Sequence, residues 1–113
     1  MRVQPFHGVK SMVKSELVQL LGARQPQLTT RDVELAVNCI IEQMAQSLET
    51  GGDVEIRGFG HFTVRQRPPR KARNPKTGEA VELDAKAAVH FRPGKAMRER
   101  VDAGRGQYRI KDL

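Results

Sequence analysis

Cysteine, aromatic residues and long apolar runs are all scarce in this sequence. Cys39 is the only cysteine among 113 residues, so no disulfide can form within the chain. Its place in an apolar helical stretch predicts a small buried side chain rather than a reactive thiol. No apolar run reaches the length of a signal sequence or a membrane span. We therefore expect a protein that stays in a reducing cytoplasm.

Two kinds of site are disfavoured by the same scarcity. Aromatic residues make up 4% of the sequence, which argues against recognition of single-stranded nucleic acid by base stacking. The three histidines (His7, His61 and His90) and Cys39 have no metal-ligand spacing, and a lone histidine in a strand or tail is usually structural. The sequence predicts neither a metal nor a cofactor.

Positive charge is abundant and unevenly distributed. The formal net charge is +7 and the isoelectric point is about 10.2. Residues 1–56 contain five Lys or Arg against seven Asp or Glu, whereas residues 57–113 contain fifteen against six. This asymmetry predicts a structural first half, a ligand-binding second half and a polyanionic partner.

Two helices are predicted in the first half of what we expect to be one domain. Helical spacing of apolar residues from Met12 to Leu21 predicts a short helix that ends near Gly22. The sequence Thr29-Thr30-Arg31-Asp32 has the form of a capping box. The helix that follows has an apolar stripe covering nearly half of its circumference. The second helix is therefore predicted over about 30–50.

The second half alternates apolar and polar residues, which is typical of strands. Two antiparallel strands are predicted around Gly58-Phe59-Gly60, and the second continues into a basic stretch that returns from Glu79 to Phe91. The outer half of this long hairpin, about residues 64–88 and here called the arm, has almost no core residues and should be mobile. A short basic helix is predicted from Lys95 to Ala103.

The arm concentrates cations around a proline turn. Six lie within twelve residues: Arg65, Arg67, Arg70, Lys71, Arg73 and Lys76. Asn74-Pro75 favours a turn and Gly78 tolerates the dihedrals that close it, so Pro75 should project outward at the apex. Its rigid apolar ring has little side-chain freedom to lose on entering a base stack. The alternative is an ordinary solvated turn.

Four segments, in order and at matching spacing, resemble the bacterial HU and integration host factor family, most closely its β-type branch. They are MVKSEL at 12–17, VEIRGFGHF at 54–62, RNPKTGEAVEL at 73–83 and HFRPGK at 90–95. The likeness covers 12–103 and leaves an N-terminal extension at 1–11 and a tail at 104–113. It implies an α+β fold: an intertwined dimer with an N-terminal helical pair, a three-stranded antiparallel saddle, a long flexible β-ribbon arm and a short C-terminal helix.

The resemblance also implies the function. It predicts a non-enzymatic, nucleoid-associated protein of bacteria whose two arms enter the minor groove of duplex DNA and bend it by inserting a proline between base pairs. Such proteins assist DNA recombination and replication and regulate transcription and translation. The expected partners are double-stranded DNA and either an α-type integration host factor subunit, in a heterodimer, or a second copy of this chain. An HU-like homodimer with little sequence preference is the alternative.

The implied DNA-binding residues lie in the arm and in the body of the protein. They are Glu55, Arg57, Arg65, Arg67, Arg70, Lys71, Arg73, Asn74, Pro75, Lys76, Arg92 and Lys95. Glu55 would hold Arg57 against the groove, although a surface ion pair would have the same sequence pattern. Arg98 is a further candidate for phosphate contact. The three phenylalanines Phe59, Phe62 and Phe91 are interpreted as core or interface residues.

One departure from the family and two unrelated alternatives remain. Val13 stands where the family commonly has a helix-capping threonine, so the first helix should lack that cap. An RNA-binding, ribosome-associated protein would carry a similar charge. Ser11-x-x-Lys14 and Lys76-Thr77-Gly78 mimic fragments of penicillin-recognising serine hydrolases, but Ser-Asp-Asn is absent and the chain is too short for such a site.

Overall fold

A computed structural model describes residues 11–108. Three helices and five strands follow one another in that part of the chain: α1 (Lys14–Arg24), α2 (Thr30–Glu49), β1 (Val54–Ile56), β2 (Gly60–Arg67), β3 (Arg70–Arg73), β4 (Ala80–Leu83), β5 (Lys86–Pro93) and α3 (Lys95–Ala103). The predicted α+β class is confirmed. No helix within residues 11–108 is both long and apolar enough to cross a membrane.

Helix α1 begins without a side-chain cap, as the sequence predicts. Val13 is its N-cap residue and provides no side-chain hydrogen bond. The helix ends at Arg24, two residues beyond Gly22, near which its end was predicted. Gln25 leaves the helix with φ −127° and ψ 65°, and it precedes Pro26, whose ring disfavours helical geometry in the residue before it. Proline, and not glycine, therefore ends α1.

Helix α2 agrees with its predicted range. At its start, Thr29 Oγ1 accepts a hydrogen bond from the backbone N–H of Asp32 at 3.1 Å. At its end, Gly51 takes a positive φ of 87°, a conformation that a residue with a side chain rarely adopts. Local signals at both ends are enough to set the length of this helix.

The buried core of the described residues is small. Val18 of α1 packs with Val33 and Val37 of α2, and these three are the buried apolar residues of residues 11–108. Leu17 lies partly buried against them. A core of this size is far below what a stable domain of this length normally contains. The single chain therefore has exposed apolar surface that a partner could cover.

Much of that surface lies on α2. Leu35, Ile40 and Ile41 are exposed there, although the helix is strongly amphipathic. Cys39 is exposed as well, so its predicted burial is wrong. A helix turns about 100° per residue, so Cys39 lies roughly 200° around from the buried Val37. The stripe is wide enough to pack on α1 along one edge and remain open along the other.

Three strands form an antiparallel sheet in the order β1-β2-β5, and α2 contacts both β1 and β2. Phe62 pairs with Phe91 across β2 and β5, with ring centroids 4.6 Å apart. Phe59 lies 5.6 Å from Phe91 by the same measure. The three predicted core phenylalanines are therefore together, although Phe59 and Phe91 stay partly exposed. The predicted three-stranded sheet is confirmed.

The arm is a ribbon with one interruption. Strands β2 and β5 pair as far as Arg67 and Lys86, and pairing resumes between β3 and β4 at Arg70 and Leu83. The sum of paired residue numbers is the same on both sides, so the register continues through the gap. Pro68-Pro69 occupies the gap and has no N–H to donate. The radius of gyration is 19.3 Å, against roughly 13 Å for a compact domain of this size.

Candidate nucleic-acid interface

The three-stranded sheet has one apolar and one polar face. Residues that pair directly across antiparallel strands lie on the same face, and alternate residues of a strand share it. Phe62, Val64 and Val89 therefore belong to one face. Val64 and Val89 line a groove together with Ala45 and Leu48 of α2, so this face is turned toward the helix.

The opposite face carries charged and polar side chains, and we call it the polar face. Its cross-strand pairs are Glu55 with His61, His61 with Arg92, Thr63 with His90, Arg65 with Ala88 and Arg67 with Lys86. Glu55, His61 and Arg92 thus form one continuous row across all three strands. The polar face is exposed or half-buried throughout. It provides a broad and mainly cationic surface next to the base of the arm.

The predicted body residues come together at one end of this sheet. Glu55, Arg57, Arg92 and Lys95 line one shallow depression, and His61 and Arg98 line it too. Arg57 lies in the turn after β1, one residue beyond the strand in which the sequence placed it. Within residues 11–108, Glu55 has no ion pair within 4.0 Å. Its role in holding Arg57 stays a prediction.

The predicted arm residues are spread along β2, β3 and the turn that follows. Arg65 and Arg67 share the polar face of β2, while Lys71 and Arg73 share one face of β3 and Arg70 takes the other. All six cations of the arm are exposed. In the part of the chain that the structure describes, none of them has a carboxylate within 4.0 Å. Their positive charge is therefore available to an external anion.

The tip of the arm is a hydrogen-bonded turn with Pro75 exposed at its apex. Asn74 Oδ1 accepts from the backbone N–H of Lys76 at 2.9 Å, and the Asn74 carbonyl accepts from the N–H of Gly78 at 2.7 Å. Arg73 donates through Nη1 to the Gly78 carbonyl at 2.9 Å. Gly78 has a φ of 73°, as the predicted turn requires. These bonds hold the residues on both sides of the proline.

Sequence reasoning missed three polar residues of the same surface. His61, Thr63 and His90 lie on the polar face with Arg65 and Arg67. Two-residue alternation along β2 already relates His61 and Thr63 to the two arginines. The position of His90 depends on the pairing of β5 with β2, which the sequence does not encode locally.

Residues 11–108 do not form either of two competing sites, a metal site or a serine-hydrolase site. Residues 11–108 contain no group of three or more His, Cys, Asp or Glu side chains that could hold a metal ion. Lys14 Nζ donates to Asn38 Oδ1 at 2.7 Å, which directs the amine toward α2. Lys76-Thr77-Gly78 forms part of the exposed turn at the tip of the arm. Neither fragment of the serine-hydrolase pattern belongs to an enclosed site.

Comparison with known proteins identifies the family. The family model described as "Bacterial DNA-binding protein" matches residues 12–102. The chain belongs to the bacterial DNA-binding protein family. Membership in this family makes it a DNA-binding protein and not an enzyme, so the hydrolase alternative is wrong.

Curated members of the family are similar over most of their length. Integration host factor subunit beta of Shewanella woodyi is 58% identical over 92 residues, which cover 81% of this chain and 97% of that protein. The subunit of the same name from Alkalilimnicola ehrlichii is 53% identical over 94 residues, covering 83% and 94%. The resemblance to β-type integration host factor subunits is thereby confirmed.

Solved structures of the family share the fold. The Anabaena HU–DNA cocrystal structure has a TM-score of 0.72 and 33% identity, covering 80% of this chain and 97% of that one. HU from Thermotoga maritima has a TM-score of 0.53 and 27% identity, covering 80% and 98%. The arrangement of helices, sheet and arm is therefore a family arrangement.

Proposed function

We propose that this chain is the β-type subunit of a two-chain architectural protein that bends duplex DNA. The arm enters the minor groove, and Pro75 inserts between adjacent base pairs at its tip. Separating one base step costs about a few kcal/mol, which is offset by the protein surface that a bent duplex can reach. The bent duplex then serves recombination, replication and gene regulation in the bacterial nucleoid.

The single observation that carries this proposal is the construction of the tip. Pro75 is exposed at the apex while Asn74 and Arg73 hydrogen-bond around it. A rigid apolar apex that follows directly on the cationic strand β3 is suited to a ligand that combines negative charge with an apolar interior, as a DNA duplex does. The small apolar ring can enter a base stack without desolvating a charge, and the fixed turn limits the entropy lost on insertion.

The charged surfaces account for the remaining contacts. The cations of the arm would lie close to the two sugar-phosphate walls of a minor groove, and within residues 11–108 none of them has a carboxylate partner within 4.0 Å to give up. The depression that contains Arg57, Arg92 and Lys95 offers the body a second set of phosphate contacts. Glu55 beside them would orient Arg57 toward the duplex. The twelve implied residues thus form an arm group and a body group.

A second chain is required for stability as well as for a second arm. Only three valines are buried among residues 11–108, while Leu35, Ile40 and Ile41 are exposed. Covering this apolar stripe would contribute the core that the single chain lacks. Similarity to integration host factor beta subunits favours an α-type partner. Similarity to HU keeps the homodimer as the second candidate.

Bending of a short duplex tests the proposal. Donor and acceptor dyes at the two ends should approach each other when the chain, assembled with an α-type partner or with itself, is added. Pro75→Ala should reduce this approach markedly, because the methyl group cannot wedge open a base step. Thr77→Ala shortens another exposed side chain of the same turn and leaves Pro75 in place, so this control should bend DNA like the wild type. A wild-type assembly that binds RNA but leaves duplex DNA straight would support the ribosomal alternative.

A co-expression experiment separates the two assemblies. If the tagged chain co-purifies with an α-type subunit at a one-to-one ratio, the heterodimer is correct. Tight self-association together with equal affinity for unrelated duplexes would instead show an HU-like homodimer.

A further inference from the structure

His61 lies on β2, the middle strand of the sheet, at the end of the polar face that borders the depression. It pairs directly with Glu55 of β1 on one side and with Arg92 of β5 on the other. Its Nε2 lies 3.4 Å from Asp53 Oδ2, and its side chain is 40% exposed. His61 also lines the depression that contains Arg57, Lys95 and Arg98.

The charged groups around His61 come from every element next to it. Asp53 and Glu55 approach from the β1 segment, Arg57 from the following turn, Arg92 and His90 from β5, and Lys95 and Arg98 from α3. Four permanent cations therefore oppose two carboxylates, and one of the four, Lys95, also has Glu99 Oε1 at 3.9 Å from its Nζ. Such a surface attracts a phosphate, but the two carboxylates lie on the side of His61 where β1 runs. The charge of the imidazole decides how much they repel an approaching anion.

The two ring nitrogens give this position a protonation-dependent contact. In the imidazolium both nitrogens carry a proton, so one N–H can face Asp53 while the other donates to a phosphate oxygen. In the neutral ring only one nitrogen is a donor. If Nε2 donates to Asp53, Nδ1 presents a lone pair, which a phosphate oxygen repels. Only the charged ring can therefore donate to Asp53 and to a phosphate at the same time.

We propose that His61 is a DNA-contacting residue that couples duplex binding to the uptake of one proton by this chain. The contact rests on the proposed function, because it places the duplex on the polar face between the arm and the depression. Its ligand is a backbone phosphate, so the contact adds affinity without reading the base sequence.

The direction of the pH effect follows from this coupling. Histidine normally changes charge between about pH 5 and pH 8. Because the bound state holds one more proton than the free state, affinity rises as pH falls. For one proton, the logarithm of the affinity can rise by at most about one unit for each pH unit. The salt dependence also steepens, since each neutralised phosphate contributes about 0.9 to the slope of log affinity against log salt.

The test measures duplex affinity of the assembled protein from about pH 8 to about pH 6 at constant salt. We expect the wild type to gain roughly three- to tenfold toward low pH, within the one-proton limit. His61→Gln, which keeps a polar side chain of similar size without the titration, should lose this gain. His90→Gln, changed one row away on the same face, should keep it. If His90→Gln lost the rise in affinity toward low pH and His61→Gln kept it, the assignment to His61 would be overturned.

Calorimetry of the wild type gives a readout that needs no variant. The heat of duplex binding at about pH 7 in buffers of different ionisation enthalpy reports proton uptake, and we expect a positive value of less than one proton for each copy of this chain. Zero uptake would refute the coupling even if His61→Gln failed to fold. Binding and bending without any pH dependence would refute this inference alone. Absence of both binding and bending would refute the proposed function itself.

Discussion

Asn74 accepts a hydrogen bond through its side-chain Oδ1 from the backbone N–H of Lys76, at 2.9 Å across the intervening Pro75. The proline itself has no N–H, so the two residues beside it provide the bonds that shape the apex. A side chain that hydrogen-bonds the backbone two residues ahead reproduces the geometry of a turn. The tip is thereby ordered before any duplex is present, and this order can be tested by mutation.

Replacing Asn74 with Ala should weaken DNA bending although Pro75 remains. The lost hydrogen bond contributes about 1 kcal/mol, and without it the Pro75 ring would sample more orientations. Affinity for a bent duplex should therefore fall about fivefold. The measurement is duplex affinity together with end-to-end dye distance. Thr77→Ala is the matched control, because Thr77 Oγ1 accepts only a longer bond, from the Glu79 N–H at 3.3 Å. Equal effects of the two variants would contradict the role given to Asn74.

Restoring backbone donors at the interruption of the arm should reduce its mobility. Pro68 and Pro69 lie within a register that is continuous on both sides, so the double variant to Ala can complete the ladder. Because successive N–H groups of a strand point to opposite sides, one of the two new donors can join the ladder, contributing about 1 kcal/mol, and hydrogen exchange of the neighbouring strand amides should slow about fivefold. Exchange measured by mass spectrometry on the free assembly tests this. Unchanged exchange would mean that the missing donors are not the cause of the interruption.

Gly60 and Gly22 should respond oppositely to substitution by Ala. A Cβ on Gly60 would collide with the Phe91 ring and lie 2.9 Å from the Arg92 carbonyl oxygen. We expect a loss of about 1–3 kcal/mol in the free energy of unfolding, since the strand backbone cannot move aside easily. Gly22 lies within α1 with nothing within 4 Å of its added Cβ, so Ala there should stabilise by about 1 kcal/mol. Thermal unfolding at one fixed protein concentration compares them.

The uncapped start of α1 is an opportunity for stabilisation. Val13 occupies the N-cap position in an extended conformation with φ −99° and ψ 164°, but has no oxygen to offer. Val13→Thr should raise the free energy of unfolding by about 1 kcal/mol, because its hydroxyl can accept from a first-turn N–H. Thr29→Ala removes the corresponding bond at α2 and should lower stability by a similar amount. Denaturant unfolding of the assembly measures both, and a Val13→Thr variant no more stable than wild type would refute the first.

Elements with strong local signals were predictable. The start of α2 follows from the hydroxyl of Thr29, and its end follows from a glycine free to take positive φ. The bounds of α3 follow from Pro93-Gly94 before it and glycine after it. At α1 two signals compete, and Pro26 prevails over Gly22 because a glycine can remain helical whereas the residue before a proline is sterically pushed out.

The candidate site was predictable to the extent that it depends on charge and on turn chemistry. The cations of the arm and the outward position of Pro75 follow from residues close together in sequence. His61 and His90 were missed because their significance comes from neighbours on other strands. The exposure of Cys39 was missed because apolar composition does not distinguish the edge of a helix that packs within the chain from the edge left open.

The sequence by itself determined the cationic arm, the rigid apex with its hydrogen-bonding asparagine, and the ends of α2, since each depends on interactions among residues a few positions apart. Only the tertiary structure decided that Glu55, His61 and Arg92 form one row, that Pro68-Pro69 interrupts the ladder without shifting its register, and that most of α2 remains uncovered. Strand register and helix packing join segments far apart in the chain, and such pairing is selected by the whole set of contacts rather than by any local pattern.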